Sequence, residues 1–171
     1  MGKRSEPTVH VENLIQSVSA QIGVDPDLVR AHMKRESAFD EKAVREEPQI
    51  NDASIGLMQV LVKTAQWIMA DQSIGRKELF EPTFNIRVGA TYIKRNLTRY
   101  GGNVEKAIAA YNAGSARYKS DKKTFINQVY VDFVYKWYQI YKKKISLTMM
   151  GLGVGLLATI IGGLILLRRE L

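Results

Sequence analysis

The chain has 171 residues, no cysteine and two histidines, and its 25 Lys plus Arg residues outnumber 17 Asp plus Glu residues for a formal net charge of +8. This length fits one globular domain, and the composition excludes a disulfide framework and a zinc site of the usual ligand types. The positive balance indicates an anionic neighbour, which could be nucleic acid, lipid headgroups or an acidic polymer, and charge alone does not choose among these.

Two helices are predicted first along the chain. Apolar residues at steps of three and four over residues 11–22 predict an amphipathic helix, and Gly23 follows where a helix C-cap belongs. Asp25 then Pro26 reads as an N-cap followed by the residue favoured at the first helical position. The second helix has an apolar stripe formed by Val29, His32 and Met33.

Three further helices are predicted before the C-terminal segment. A stripe over residues 86–100 ends at Gly101-Gly102, Asn103 caps a short helix over residues 104–113, and a last stripe covers residues 126–141. No alternating β-branched pattern competes, apart from a possible short turn at residues 50–55. The sequence therefore predicts an all-α domain over residues 9–141, preceded by a tail at residues 1–8.

The C-terminal segment predicts a single membrane-spanning helix. Residues 145–167 carry no charge, three lysines at 142–144 precede them, and Arg168 and Arg169 follow. At about 1.5 Å per residue these 23 residues extend about 34 Å, enough to cross a hydrocarbon core of about 30 Å. Gly151 and Gly155 form a G-x-x-x-G step that would allow two such helices to associate. Residues 142–171 are thus interpreted as a basic juxtamembrane segment and anchor, and no signal peptide is recognised at the N-terminus.

Glu36 is the first candidate for chemistry. It continues the stripe of Val29, His32 and Met33 at steps of seven, four and three residues, so its carboxyl faces the core side of the helix. Burial disfavours the charged form and raises the pKa of a carboxyl toward the range of a general acid near neutral pH. A solvated, inert glutamate is the ordinary alternative for such a position, and the surrounding motifs decide between the two.

Four segments carry a family resemblance. In chain order they are Glu36-Ser37, Gly56-Leu57-Met58-Gln59, Ala110-Tyr111-Asn112-Ala113-Gly114 and Tyr130-Val131. In this order and spacing they resemble the soluble lytic transglycosylase family, the goose-type-lysozyme-like enzymes that cut peptidoglycan. The resemblance covers about residues 9–141. It implies a lysozyme-like helical domain.

The resemblance implies a role for each matching position. Glu36 resembles the single acid and base of the family, Ser37 the neighbouring hydroxyl, and Tyr130 the tyrosine whose hydroxyl approaches the catalytic carboxyl. Substrate contacts are implied for the cleft positions, which are Met58, Gln59, Tyr111 and Asn112. Core packing or capping is the alternative for each of these side chains. One departure is visible, because the family often has Glu-Thr where this chain has Ile126 and Asn127.

The implied chemistry is substrate-assisted cleavage of the MurNAc–GlcNAc bond with a 1,6-anhydro product and without metal or cofactor. A hydrolytic glycosidase normally needs a second carboxylate, and only Glu36 lies in a motif. A lysozyme-like muramidase remains the alternative, with a base among the neighbouring acids, which are Asp40, Glu41, Glu46, Glu47 and Asp52. A non-catalytic glycan-binding or virion membrane scaffold is the alternative outside enzymology.

The expected partners are the peptidoglycan glycan strand, a lipid membrane and a second copy of the chain through the membrane helix. No nucleic-acid motif accompanies the basic residues, so nucleic acid is not expected as a partner. The lysines at 142–144 are interpreted as anchors for anionic headgroups. Because no signal peptide is recognised, the expected location is the membrane of a virion, where wall digestion would assist a phage genome into the cell. The bacterial inner membrane is the alternative location.

Overall fold

The computed structural model describes residues 6–120 and 123–143, which fall into two compact units, Met1–Tyr138 and Gln139–Leu171. The helices of the first unit are α1 (Val9–Ile22), α2 (Pro26–Glu36), α3 (Val62–Met69), α4 (Arg76–Leu79), α5 (Pro82–Arg99) and α6 (Val104–Ala113). A seventh helix, α7, covers residues 128–138 of the first unit. The described part of the second unit, residues 139–143, is helical.

The predicted helix boundaries at α1, α2 and α6 are confirmed by their caps. Gly23 ends α1 in the left-handed conformation with φ of 70°, and its N–H donates to the Ser19 carbonyl. The Asp25 carboxylate accepts from the Asp27 N–H at 2.9 Å, and Asn103 accepts from the Lys106 N–H at 2.9 Å. Each cap satisfies a backbone group that a helix end leaves without an intrahelical partner.

The core of the first unit lies where α1, α2, α5 and α6 meet. Its apolar side chains are at most 1% exposed, among them Ile15, Leu28, Met33, Ile93 and Ile108. Each such side chain contributes about 1.5–3 kcal/mol relative to an exposed position. This packing holds α2 in place, and Glu36 is the last residue of that helix.

A three-stranded antiparallel sheet corrects the all-α prediction. Its strands are β1 (Val44–Glu47), β2 (Asp52–Ile55) and β3 (Val60–Leu61), in the order β1-β2-β3. Glu47 pairs with Asp52 across a tight connection, and Ser54 pairs with Leu61. The two residues of β3 are too few to show an alternation of apolar and polar positions, and the four residues of β1 and of β2 do not alternate, because β1 is mostly exposed and β2 mostly buried. The region interpreted as a turn at 50–55 is part of this sheet.

No helix within the described residues is both long and apolar enough to cross a membrane. The predicted span at residues 145–167 lies outside the described residues.

Candidate active site

A cleft lies between the sheet on one side and α5 and α6 on the other, with the C-terminal end of α2 at its edge. Four of the predicted site residues line it, namely Glu36, Gln59, Tyr111 and Asn112. The sheet contributes charged and polar side chains to the opposite wall, including Arg45, Glu47 and Ser54. The cleft therefore combines one carboxyl at the end of a helix with polar groups and an aromatic wall, an arrangement typical of a carbohydrate site.

Glu36 is the last residue of α2, and the helix end is tied to the loop that follows β2. The Ser37 hydroxyl donates to the Leu57 carbonyl at 2.7 Å, and the Ser37 N–H donates to the Met33 carbonyl at 3.1 Å. Ser37 thus links α2 to the Gly56–Gln59 loop. Its role as a sugar-contacting hydroxyl stays a prediction.

The Glu36 carboxyl is largely buried and is hydrogen-bonded from α7. The Tyr130 hydroxyl donates to Glu36 Oε1 at 2.5 Å. Burial raises the pKa of Glu36 above its usual value, while the Tyr130 hydrogen bond and the charges of Arg35 and Arg45 oppose that rise. A carboxyl with a raised pKa and a donor that stabilises its ionised form can give up a proton and take one back.

Behind Tyr130 lies a buried histidine that the sequence placed only on the apolar stripe of α2. His32 Nδ1 lies 3.1 Å from the Tyr130 hydroxyl oxygen, and the residue is fully buried. Burial lowers the pKa of His32 to about 3, so the imidazole is neutral at neutral pH. The only sequence signal for this contact is its position four residues before Glu36, which puts both side chains on one helix face.

The Gly56–Gln59 loop connects β2 to β3 and is fixed by Asn85 of α5. The Asn85 amide accepts from the Met58 N–H at 2.8 Å and donates to the carbonyls of Ile55 and Leu79 at 2.8 and 2.9 Å. Gly56 has φ of 73°, and a Cβ there would lie 2.6 Å from Asn85 Nδ2. Only glycine allows this approach of the loop to the asparagine without strain.

Met58 and Gln59 differ in what they face. Met58 is fully buried and packs so closely on α5 that a Cβ at Gly89 would lie 2.8 Å from the Met58 side chain. Gln59 lines the cleft, and its side-chain nitrogen donates to the carbonyls of Ala43 and Gly56 at 3.1 and 3.0 Å. Met58 therefore supports the wall from behind, whereas Gln59 presents a fixed amide to the cleft.

The α6 wall carries Tyr111 and Asn112. The Tyr111 hydroxyl donates to the Met58 carbonyl at 2.9 Å, and its ring lies 4.5 Å from the His32 ring between centroids. Asn127 Nδ2 donates to Asn112 Oδ1 at 2.9 Å and to the Ala109 carbonyl at 3.0 Å. At the position where the resembling family often has another residue, Asn127 itself supplies hydrogen bonds to the wall. The sequence identified this position only as a departure.

The neighbouring acids have different partners, and only Glu47 lines the cleft with Glu36. The Asp52 carboxylate accepts from the N–H groups of Val62 and Lys63, which begin α3, and Glu46 pairs with Arg76. Glu47 accepts from Arg45 Nε at 2.6 Å. Although partial burial opposes ionisation, the hydrogen bond and charge of Arg45 hold the pKa of Glu47 below its usual value.

The structure thus brings Glu36, Gln59, Tyr111 and Asn112 together around one cleft and puts Ser37, Met58 and Tyr130 directly behind it. Across residues 6–120 and 123–143 no group of three His, Asp or Glu side chains is arranged to hold a metal ion.

Comparisons with known sequences find similar proteins. A family model described as "Transglycosylase SLT domain" matches residues 13–130. The transglycosylase of Enterobacteria phage PRD1 is 33% identical over 110 residues, covering 64% of this chain and 37% of that protein. Membrane-bound lytic murein transglycosylase C of Edwardsiella ictaluri is 30% identical over 135 residues, covering 67% of this chain and 35% of that protein. The chain thus spans little more than a third of the length of these relatives.

Two solved structures share the fold. An inactive mutant of the lytic transglycosylase Slt from Pseudomonas aeruginosa superposes with a TM-score of 0.64 and 24% identity, covering 78% of this chain and 24% of that one. The 70 kDa soluble lytic transglycosylase of Escherichia coli gives a TM-score of 0.64 and 21% identity over the same shares. The lysozyme-like helical fold that the motifs imply is confirmed as a mostly helical fold, and the three-stranded sheet corrects the all-α prediction.

Proposed function

Because the chain belongs to the transglycosylase SLT domain family, we propose that it is a peptidoglycan lytic transglycosylase that cleaves the MurNAc–GlcNAc bond. The observation that carries this proposal is the largely buried carboxyl of Glu36, which lines the cleft and accepts a hydrogen bond from Tyr130. The names of the phage and bacterial relatives support the same activity.

In the proposed reaction Glu36 acts first as acid and then as base. Its proton goes to the bridging oxygen as the bond from that oxygen to C1 of MurNAc breaks, and the 2-acetamido group of the same sugar stabilises the cation. The ionised Glu36 then accepts the proton of the C6 hydroxyl while that oxygen bonds to C1. The product carries a 1,6-anhydro ring, and Glu36 ends in the protonated form in which it began.

The cleft walls supply what this glycan needs for binding. Gln59 and Asn112 offer amide groups for the N-acetyl groups and hydroxyls of the sugars, and Tyr111 offers an apolar face. The amides are held in place by the Ala43 carbonyl and by Asn127, so they are ordered before the glycan binds. Fixed polar groups cost less ordering entropy on binding than free ones.

A lysozyme-like muramidase is the second candidate, and Glu47 is the observation that favours it. Glu47 is held ionised by Arg45 and lines the same cleft as Glu36, so it offers the second carboxylate that hydrolysis with water requires. The two candidates differ in the sugar end that cleavage releases. Transglycosylation leaves an anhydro end, whereas hydrolysis leaves a reducing end.

The deciding experiment digests purified peptidoglycan and identifies the released muropeptides by mass spectrometry. The expected result is anhydro ends from wild type, none from Glu36→Gln, and unchanged anhydro ends from the matched control Glu47→Gln. Reducing ends that disappear in Glu47→Gln would establish the muramidase instead. Equal release of fragments by wild type and Glu36→Gln would overturn the role of Glu36. If wild type released no fragments, the chain would instead be a non-catalytic glycan-binding scaffold.

The proposal includes a membrane anchor at residues 145–167 and a role in local wall digestion as a phage genome passes into the cell. The uncharged segment between basic flanks supports the anchor, and the phage relative and the name of the membrane-bound relative support the setting. Gly151 and Gly155 support self-association of the span. Deletion of residues 142–171 should release an active domain from membranes. If that variant still sediments with vesicles, the anchor is assigned to the wrong segment.

A further inference from the structure

A hydrogen-bonded line of side chains ends at Glu36, and its other two members, His32 and Tyr130, lie behind the cleft and take no part in the reaction steps above. It runs from His32 Nδ1 to the Tyr130 hydroxyl at 3.1 Å and from that hydroxyl to Glu36 Oε1 at 2.5 Å. His32 and Tyr130 are 0% and 6% exposed, so bulk water does not compete for these bonds. His32 and Glu36 are four residues apart on α2, and Tyr130 on α7 bridges them.

The hydrogen-bond partners fix which imidazole nitrogen carries the proton. His32 is neutral and has one N–H, and its Nε2 is buried with no partner among the described residues. A proton on Nε2 would leave a buried donor unpaired, which is rarer and costlier than an unpaired acceptor. The proton therefore lies on Nδ1 and points at the Tyr130 oxygen, which in turn directs the Tyr130 proton to Glu36.

We propose that His32 is a positioning residue, which acts through Tyr130 to hold the Glu36 carboxylate in the orientation and ionisation balance that the proposed transglycosylase reaction needs. Because the Nδ1–H occupies a lone pair of the Tyr130 oxygen, the hydroxyl cannot turn away from Glu36 without losing a bond. The hydrogen bond from His32 also polarises the Tyr130 hydroxyl and strengthens the hydrogen bond that this hydroxyl donates to Glu36. The Tyr111 ring, with its centroid 4.5 Å from that of His32, holds the imidazole plane.

The other groups near Glu36 do not replace this contact. The titratable and charged side chains that face Glu36 are Tyr130 on α7, Arg35 on α2, Arg45 and Glu47 on β1, and Tyr111 on α6. The two arginines act on Glu36 by charge, and the Tyr111 hydroxyl donates to the Met58 carbonyl instead. The Tyr130 hydroxyl donates the hydrogen bond to the Glu36 carboxyl, and the group behind that hydroxyl is His32.

The test compares His32→Leu, which removes the donor, with His32→Asn, whose side-chain nitrogen can occupy the place of Nδ1. The full chain in mild detergent is assayed on peptidoglycan fragments across pH, with thermal unfolding as a check that each variant folds. We expect His32→Leu to lower kcat about fivefold with KM unchanged and to move the alkaline limb of the profile up by about half a pH unit. We expect His32→Asn to stay within about twofold of wild type in kcat, with the limb unmoved.

A double variant separates action through Tyr130 from a general packing defect. In a Tyr130→Phe background, His32→Leu should produce no further shift of the alkaline limb, because the group through which it acts is already gone. An additional shift in that background overturns the proposal, as does a His32→Asn variant that behaves like His32→Leu.

A direct measurement on the unmutated histidine covers the case in which His32→Leu does not fold. Long-range ¹H–¹⁵N correlation of the imidazoles should show His32 with the proton on Nδ1, and the exposed His10 is identified by its loss in His10→Asn. A proton on Nε2 overturns the proposal. This measurement needs no activity, whereas inactivity of wild type would overturn the proposed function alone.

Discussion

Asn85 is the side chain on which the geometry of the cleft loop depends most, and its removal gives a prediction whose size follows from the structure. The residue is 1% exposed and makes three hydrogen bonds, to the backbones of Ile55, Met58 and Leu79. Asn85→Ala would remove three buried hydrogen bonds, one donated by the Met58 N–H and one accepted by each of the Ile55 and Leu79 carbonyls. At about 1–2 kcal/mol for each, the free energy of unfolding should fall by about 3–6 kcal/mol.

A loss of this size is a large part of the about 5–15 kcal/mol that stabilises a typical domain. Urea unfolding followed by circular dichroism would measure it. Asn96→Ala is the matched control, since Asn96 lies on the same helix, is 3% exposed, and has a side chain that interacts with the Tyr92 hydroxyl rather than with a loop backbone. Both variants lose the same volume, so their difference compares the three backbone hydrogen bonds of Asn85 with the side-chain interaction between Asn96 and Tyr92. A difference below about 1 kcal/mol would refute the role assigned to Asn85.

Three further outcomes are expected. Tyr130→Phe removes a hydrogen-bond donor that favours ionised Glu36, so the pKa of Glu36 should rise. The alkaline limb of the pH–rate profile should then move up by about one pH unit, and a limb that stays in place or moves down contradicts this. Asn127→Ala frees the Asn112 amide and should raise KM about threefold to tenfold with kcat nearly unchanged, as measured by steady-state kinetics, with Gln128→Ala as a neighbouring control. Burial lowers the pKa of His32 to about 3 from 6.5 in the unfolded chain, so below pH 6.5 the unfolded chain binds a proton that the folded chain does not bind. As pH falls from 6.5 to 4.5, the free energy of unfolding of wild type should therefore fall by up to about 1.4 kcal/mol per pH unit relative to that of His32→Asn. Parallel pH dependences of the two unfolding free energies would contradict this.

The helices with local signals were predictable from the sequence. Gly23, Asp25 and Asn103 act on backbone groups within four residues of themselves, so their capping function can be read without tertiary structure. The burial of the Glu36 side chain was predictable for the same reason, because its spacing from Met33 and His32 puts it on the buried face of α2.

The start of α3 was not predictable because its cap comes from elsewhere in the chain. Leu61 at the N-cap position offers no side-chain acceptor, and Asp52 on β2 supplies the carboxylate to the N–H groups of Val62 and Lys63. The interaction bridges ten residues and exists only once the sheet has formed. The same contact explains why Asp52, counted in the sequence among possible bases, serves as a helix cap in the structure.

The hydrogen-bonded line from His32 to Glu36 could not be predicted from the sequence for a related reason. A histidine at helical spacing among apolar residues is ordinarily a core position, and its contact with Tyr130 bridges 98 residues of sequence. The departure at Asn127 likewise gained meaning only from its hydrogen bond to Asn112, fifteen residues away on α6.

One carboxyl can serve as both acid and base only if neither of its forms is strongly favoured at the pH of the reaction. Burial of Glu36 pushes its pKa up, and a carboxyl in that surrounding alone would hold its proton too firmly to give it to a glycosidic oxygen. The Tyr130 hydrogen bond and the charges of Arg35 and Arg45 push the pKa down. Because Tyr130 lies on α7 and Arg45 on β1, the packing of these two elements around the end of α2 sets the balance, and a second carboxylate is not needed to complete the proposed cycle.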